Sequence, residues 1–365
     1  MPDSIAQNLL QWYSKNKRDL PWRQTDDPYK IWISEIMLQQ TRVDTVIPYY
    51  TRFITAFPTI EDLAEATQQQ VLKLWEGLGY YSRGRNLHQA AKTVVDDFDG
   101  ELPSSYNDIT SLKGIGPYTA AALLSIVFDK PYAVVDGNVL RVLTRIYGIK
   151  SDIRSGETKR EIQNLADGLI PPKNPGDFNQ AVMELGATIC KPQNPECDFC
   201  PVSVECMAYN QVETDVIPYK SAAKKVPHHQ IGVGLIVNEN NELLIALRPD
   251  NVMLGGLWEF AGGKKKENES VRETVKRELR EELGVEVEVF DKFHQLNHAY
   301  SHFKITLHAF WCRITNGIPE PRSSRELRWV SLDEIDRYPF PKANKTLIEH
   351  LRNAKSGEFA KFVKQ

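Results

Sequence analysis

Cysteine is scarce in this chain, at 5 of 365 residues. That is too few to staple a protein of this length, so a disulfide scaffold is excluded. Long apolar runs are missing too: the best, around residues 120–128, reaches about ten residues where a membrane span needs roughly 18. The N-terminal stretch lacks the basic-then-apolar pattern of a secretion leader, and the expectation is a cytoplasmic protein with no membrane partner. Nor is there the basic excess that usually marks a nucleic-acid binder, since 45 Lys and Arg face 48 Asp and Glu for a formal charge of -3. Any such function must come from local motifs. No internal repeat or low-complexity tract appears. What is present is an ordinary globular composition, 41% hydrophobic and 25% charged, in a chain long enough for two to three domains.

Residues 5–209 read as helical, with apolar residues three and four apart (Ile5, Leu9, Trp12, Tyr13; Val139, Val142, Leu143, Ile146). Charge divides unevenly: residues 1–217 carry 21 basic and 28 acidic side chains, -7, whereas residues 218–365 carry 24 and 20, +4. A polar, proline-bounded stretch at 218–228 suits a linker. Beyond it the period changes. Runs at 231–237 and 243–247 predict a hairpin about Asn238-Glu-Asn-Asn241, a charged helix follows at 270–283, and further strands are expected at 285–290 and 304–312. The fold class is therefore multi-domain, an all-α domain over 1–217 followed by an α/β domain over 229–365.

Four cysteines are spaced Cys190-x6-Cys197-x2-Cys200-x5-Cys206 in a proline-rich stretch. Clustered thiolates select zinc or an iron-sulfur centre. A structural zinc site usually pairs two Cys-x-x-Cys knuckles and only one is present, which favours a cluster; zinc and unligated core cysteines are the alternatives. Cys312 lies in an apolar run and reads as a core residue. Leu112-Lys-Gly-Ile-Gly-Pro-Tyr-Thr119 joins two helices through Gly114 and Gly116, with Pro117 at a favoured first helical position. Its exposed N–H groups and the positive end of the second helix suit a phosphate, although a simple glycine-capped turn reads equally well. Asp136, in Val134-Val-Asp-Gly-Asn-Val139, is a good N-cap. Glu35 lies on a helix whose neighbours at three and four positions are Ile31, Trp32, Leu38 and Gln39, surroundings that should raise its pKa toward that of a general acid. A buried Glu paired with an Arg is the structural alternative.

The cysteine spacing resembles the 4Fe-4S loop of the endonuclease III family, and hairpin, downstream aspartate and loop together resemble the helix-hairpin-helix glycosylase superfamily. The segments Leu20-Pro-Trp-Arg23 and Glu35-Ile-Met-Leu-Gln-Gln-Thr41 resemble the MutY-type adenine DNA glycosylases, over essentially the whole chain. That resemblance implies a barrel lobe at 28–131 and a cluster lobe from 1–27 plus 132–217, with Cys190, Cys197, Cys200 and Cys206 ligating the cluster in the loop 190–206. It implies that Glu35 protonates adenine, that Asp136 stabilises the oxocarbenium-like sugar and that Asn138 orients Asp136. Tyr118 stands where bifunctional relatives carry a Schiff-base lysine, which argues for base removal without strand scission. Trp22, Arg23, Val43 and Gln180 would line the adenine pocket. Gln40, Thr41, Leu78 and Tyr80 would contact DNA around the opposing 8-oxoguanine. The implied partner is duplex DNA carrying adenine opposite 8-oxoguanine or guanine, bound by a monomer at the nucleoid.

In the second domain Gly263, Glu269, Arg277-Glu-Leu-Arg-Glu-Glu282 and Gly284-Val285 spell a full Nudix box, G-x5-E-x7-REL-x-EE-x-GV. On a helix Glu278, Glu281 and Glu282 converge as candidate Mg2+ ligands. A Nudix-like domain in this family implies 8-oxoguanine recognition, with Tyr300, Ser301 and His302 of Asn297-His-Ala-Tyr-Ser-His302 as the contact loop. The rival readings are an endonuclease III-like pyrimidine glycosylase and lyase, a Nudix pyrophosphohydrolase fused to a DNA-binding module, and a non-enzymatic redox-sensing module.

Overall fold

The computed structural model describes residues 2–222, 225–300 and 302–354. The chain forms two compact units, Met1–Glu65 with Asn86–Ala223, and Ala66–Arg85 with Lys224–Gln365. Residues 66–85 thus group with the C-terminal segment and not with the helices beside them in sequence.

The first unit is helical. Its helices begin where the sequence supplies caps: Asp27 accepts from the amides of Tyr29 and Lys30 ahead of Pro28–Leu38, and Ser155 accepts from Thr158 ahead of Gly156–Leu169. Tyr106–Ser111 and Pro117–Ile126 flank the two-glycine turn, and Gly137–Ile146 and Pro175–Thr188 follow. One core joins distant parts of this unit, packing Ile5, Leu9 and Tyr13 of the first helix, Pro2–Asn16, against Val139, Leu143, Ile162, Phe178 and Leu185.

The second unit contains two sheets. Strands β1 (His228–Ile236), β2 (Leu243–Leu247), β3 (Trp258–Glu259), β4 (Gly262–Lys264), β5 (Glu286–Ala299), β6 (Lys304–Asn316) and β7 (Glu326–Val330) form a four-stranded sheet in the order β4-β1-β6-β5 and a three-stranded sheet in the order β3-β2-β7. Helix Val271–Leu283, started by a Ser270/Glu273 capping box and ended by left-handed Gly284, packs on one side through Val275, Leu279 and Leu283. Helix Lys342–Asn353 packs on the other through Leu347, Ile348 and Leu351. Cys312 is buried in β6. The α/β expectation holds, but the predicted 238–241 hairpin does not. The chain turns there, yet β1 and β2 enter different sheets and share only the single bridge Val237–Leu243. β1 is buried from Gly232 to Ile236 and β2 along its whole length, and nothing in such runs distinguishes a sheet neighbour from a facing sheet. Strand β5 also runs nine residues past the expected 290. Its C-terminal half is half-exposed and polar, and pairing with β6 alone keeps it extended.

Candidate active site

Helices of the first unit surround a cavity of about 1030 Å³ whose lining includes Trp22, Arg23, Glu35, Gln40, Thr41, Val43, Gly114, Gly116, Tyr118, Asp136, Asn138 and Gln180. The structure thus brings twelve sequence-nominated residues to one place. Glu35 is 7% exposed, and burial, reinforced by the negative charge of Asp136 and opposed by Arg23, pushes its carboxyl up from 4.5 to about 7. Asp136 is the N-cap of Gly137–Ile146. One of its oxygens accepts from the amides of Asn138 at 2.8 Å and Val139 at 2.7 Å, and the other accepts from the Asn138 side-chain amide at 2.9 Å. Burial still holds Asp136 above the ordinary carboxylate range, outweighing those bonds. Asn138 is itself held, because its carbonyl accepts from Arg141 at 2.9 Å. Arg141 also donates to the backbone carbonyls of Cys190 at 2.7 Å and Gly186 at 2.6 Å, so a chain of hydrogen bonds runs from the cysteine loop to Asp136. Tyr118 feels both carboxylates, and burial keeps its phenol protonated. It has no amine with which to form a Schiff base.

The wall opposite is built on Glu184, which the sequence reading missed. It is 1% exposed, accepts a paired bond from Arg18 at 2.7 and 2.9 Å, and accepts from Arg23 at 2.9 Å. Its carboxyl falls to about 2 because hydrogen bonds from both arginines outweigh burial. Gln180, one turn earlier on the same helix, accepts from Arg23 at 3.2 Å and Tyr13 at 3.1 Å. Trp22 is fixed edge-to-face on Tyr50, and Gln39 ties the Glu35 helix to Thr119 at 2.9 Å.

The two turn glycines differ. Gly114 is left-handed, at φ 87°, and a Cβ there would lie 2.7 Å from that of Asn86; Gly116 caps Pro117–Ile126 with open space around it. Gly114→Ala should therefore cost about 1–3 kcal/mol of stability. Gly116→Ala should leave the melting temperature unchanged yet weaken DNA binding by crowding the helix N-terminus. Paired thermal melts and gel-shift titrations check both.

The four loop cysteines line one further small cavity together with Arg145. Arg145, 2% exposed, donates to the sulfur of Cys190 at 3.3 Å and to the carbonyls of Lys191, Thr214 and Ile217 at 2.7 to 2.8 Å. Burial raises the thiols of Cys197 and Cys206 and takes Cys200 to about 12.

In the second unit Tyr80 is exposed, whereas Leu78 is 6% exposed. Tyr300 packs on Phe303 and His298 at the turn after β5, His302 is exposed, and Asn297 belongs to the strand and not to a loop. Ser301 lies outside the described residues. The acidic triad is not a bare metal cradle. Arg277 binds Glu269, Glu278 and Glu281, while Glu282 accepts from the Gly262 amide and is raised to about 7, first by burial and then by Glu259. Among the described residues no three His, Cys, Asp or Glu side chains are grouped so as to hold a metal ion. The Mg2+ expectation has no support among the described residues, where Arg277 engages Glu269, Glu278 and Glu281 and offsets part of their charge.

A two-glycine helical hairpin, an aspartate capping the following helix and a buried glutamate across one cavity define a helix-hairpin-helix base-excision glycosylase, here joined to a Nudix unit. Residues 33–171 match the HhH-GPD superfamily of base excision DNA repair proteins, and residues 232–350 match the NUDIX domain. The chain is 35% identical to the adenine DNA glycosylase of Mus musculus over 91% of its length and 75% of that protein. It is 31% identical to that of Buchnera aphidicola over 95% and 97%. The chain belongs to the adenine DNA glycosylase family. Among solved structures, a thermostable thymine-DNA glycosylase aligns at 31% identity and TM-score 0.52, covering 57% of this chain and 97% of that one. A DNA complex of endonuclease III at 20% identity and TM-score 0.50 shares the fold. No helix among the described residues is long and apolar enough to cross a membrane.

Proposed function

We propose that the chain hydrolyses the N-glycosidic bond of adenine opposite 8-oxoguanine or guanine in duplex DNA, extruding the base into the first unit's cavity. The observation that carries this reading is the pair of carboxylates lining one cavity, Glu35 raised to about 7 by burial and Asp136 held by three hydrogen bonds that oppose its own burial. Glu35, near 7, keeps a proton to donate to the adenine ring as the bond to the sugar breaks. Asp136, gripped by three hydrogen bonds that favour its ionised form, faces the positive charge that develops on the sugar. Trp22 and the Arg23–Gln180 pair supply a stacking face and a polar edge for the base. Tyr118 removes the lyase option. In the second unit Tyr80 fills the gap left in the stack, and the residues about Tyr300 and His302 read the opposing base.

The cysteine cavity fits a 4Fe-4S cluster. Arg145, a buried cation bonded to carbonyls and one sulfur, suits the net negative charge of a thiolate-ligated centre. When bound, the cluster supplies four bonds that fix the loop, and that loop holds Arg141 through the carbonyl of Cys190.

The test is free adenine released from a duplex with adenine opposite 8-oxoguanine, with strand breaks scored before and after alkali. Breaks chiefly after alkali are expected. Breaks without alkali, or no adenine from folded protein with four cysteine-bound irons, would overturn the reading.

A further inference from the structure

The loop 77–80 holds its exposed aromatic on an unusual backbone: Gly77, Gly79 and Tyr80 are left-handed, at φ 95°, 79° and 47°. Glycine adopts that region freely and tyrosine does not, so the surroundings must impose it at Tyr80. Part of the constraint is local, since the Trp75 indole and Arg83 both donate to the carbonyl of Gly79 at 3.2 Å. A further part comes from the backbone of one distant residue of the same unit, Phe340. The amide of Phe340 donates to Glu76 at 2.9 Å, and the carbonyl of Phe340 accepts from the Tyr81 hydroxyl at 3.3 Å. Glu76 and Tyr81 are the two residues that bracket the loop. The Tyr81 hydroxyl also accepts from the amide of Gly77 at 3.0 Å, and the Glu76 carboxylate pairs with Lys345 at 2.9 Å. Phe340 is itself a firm anchor, 1% exposed with its ring against Phe260.

We propose that Glu76 and Tyr81 are positioning residues that clamp both ends of the 77–80 loop to the Phe340 peptide and so hold Tyr80 ready to enter the base stack. The proposal rests on the reading of Tyr80 as the residue that fills the gap. It makes the C-terminal segment a support for base extrusion as well as a reader of the opposing base. Pre-set geometry matters here because a loop ordered only on binding would spend part of the contact energy on its own ordering.

The experiment uses the full chain and a duplex with 2-aminopurine in place of the target adenine, whose fluorescence rises on unstacking. Tyr81→Phe deletes the hydroxyl that bonds the Gly77 amide and the Phe340 carbonyl, and is expected to lower the extrusion equilibrium about 3- to 10-fold. In a Tyr80→Ala background the same change is expected to have no further effect, because Tyr81 acts through Tyr80. Glu76→Gln keeps an acceptor for the Phe340 amide and should retain most extrusion, whereas Glu76→Ala should not. Wild-type extrusion in Tyr81→Phe would overturn the proposal, as would an equal loss in both backgrounds, the mark of a merely structural role. If Tyr80→Ala alone leaves extrusion unchanged, the reading of Tyr80 falls first and the clamp with it. Adenine release by the unaltered chain tests the wider function separately.

Discussion

Replacing Asp136 by asparagine is expected to abolish most adenine release, by about 10³-fold in single-turnover rate, while leaving mismatch binding intact. Asparagine is as good an N-cap as aspartate, so the helix Gly137–Ile146 keeps its start. What disappears is the negative charge facing the sugar. The new amide must also meet the Asn138 side-chain amide, which now donates to Asp136 at 2.9 Å. Asn138 cannot turn over to relieve this without giving up its bond from Arg141. A small loss of thermal stability should therefore accompany the catalytic loss. Gel-shift affinity equal to or tighter than wild type, beside lost adenine release, is the expected pairing. Near-normal release would remove Asp136 from the mechanism.

Glu35→Gln should be nearly as damaging to rate, about 10²- to 10⁴-fold, and should stabilise the protein in alkaline solution. A displacement from 4.5 to about 7 corresponds to about 3 kcal/mol against the ionised form in the folded state. Below pH 4.5 the group is neutral whether the chain is folded or not, so the substitution changes little. Between pH 4.5 and about 7 the unfolded chain gives up this proton while the folded protein keeps it, so stability falls across that window and levels off once the buried group ionises. Glutamine never ionises and escapes that loss. Denaturant midpoints of the two proteins should coincide near pH 4 and diverge by pH 9, with the variant higher. The same ionisation should make the wild-type rate fall above about pH 7, with an acid-side fall as Asp136 takes up a proton. Parallel stability curves, or a rate still rising at pH 9, would contradict a proton-donating Glu35.

Both carboxylates were legible in the chain because each announces itself locally: Asp136 as a capping residue before a strongly periodic helix, Glu35 as an acid with apolar neighbours on every helical face. The glycines of the hairpin and the cysteine spacing were legible for the same reason. Glu184 was not, because its burial depends on Arg18 and Arg23 arriving from 160 residues away, and an acid four positions from a glutamine looks like any solvated helix. Arg141 and Arg145 were hidden likewise, since arginines in a helix ordinarily face water. In the second unit the Nudix motif fixed the helix and its caps, while the partnering of β1 and β2 depended on sheet topology that an apolar run does not encode. The grouping of residues 66–85 with the C-terminal segment left no trace in composition.

The core that joins Ile5, Leu9 and Tyr13 to the helices between Val139 and Leu185 has a consequence for how the chain is made. The first helix is made well before the surface it covers, which is not complete until some 170 residues later, about 10 to 30 seconds at ordinary synthesis rates. Arg18 and Arg23 wait equally long for Glu184. Glu35 and Asp136 are both translated before the wall they face can close. The helix Pro2–Asn16 therefore finds its packing partners only after Leu185 has been made, and the cavity, whose lining extends to Ala187, closes no earlier.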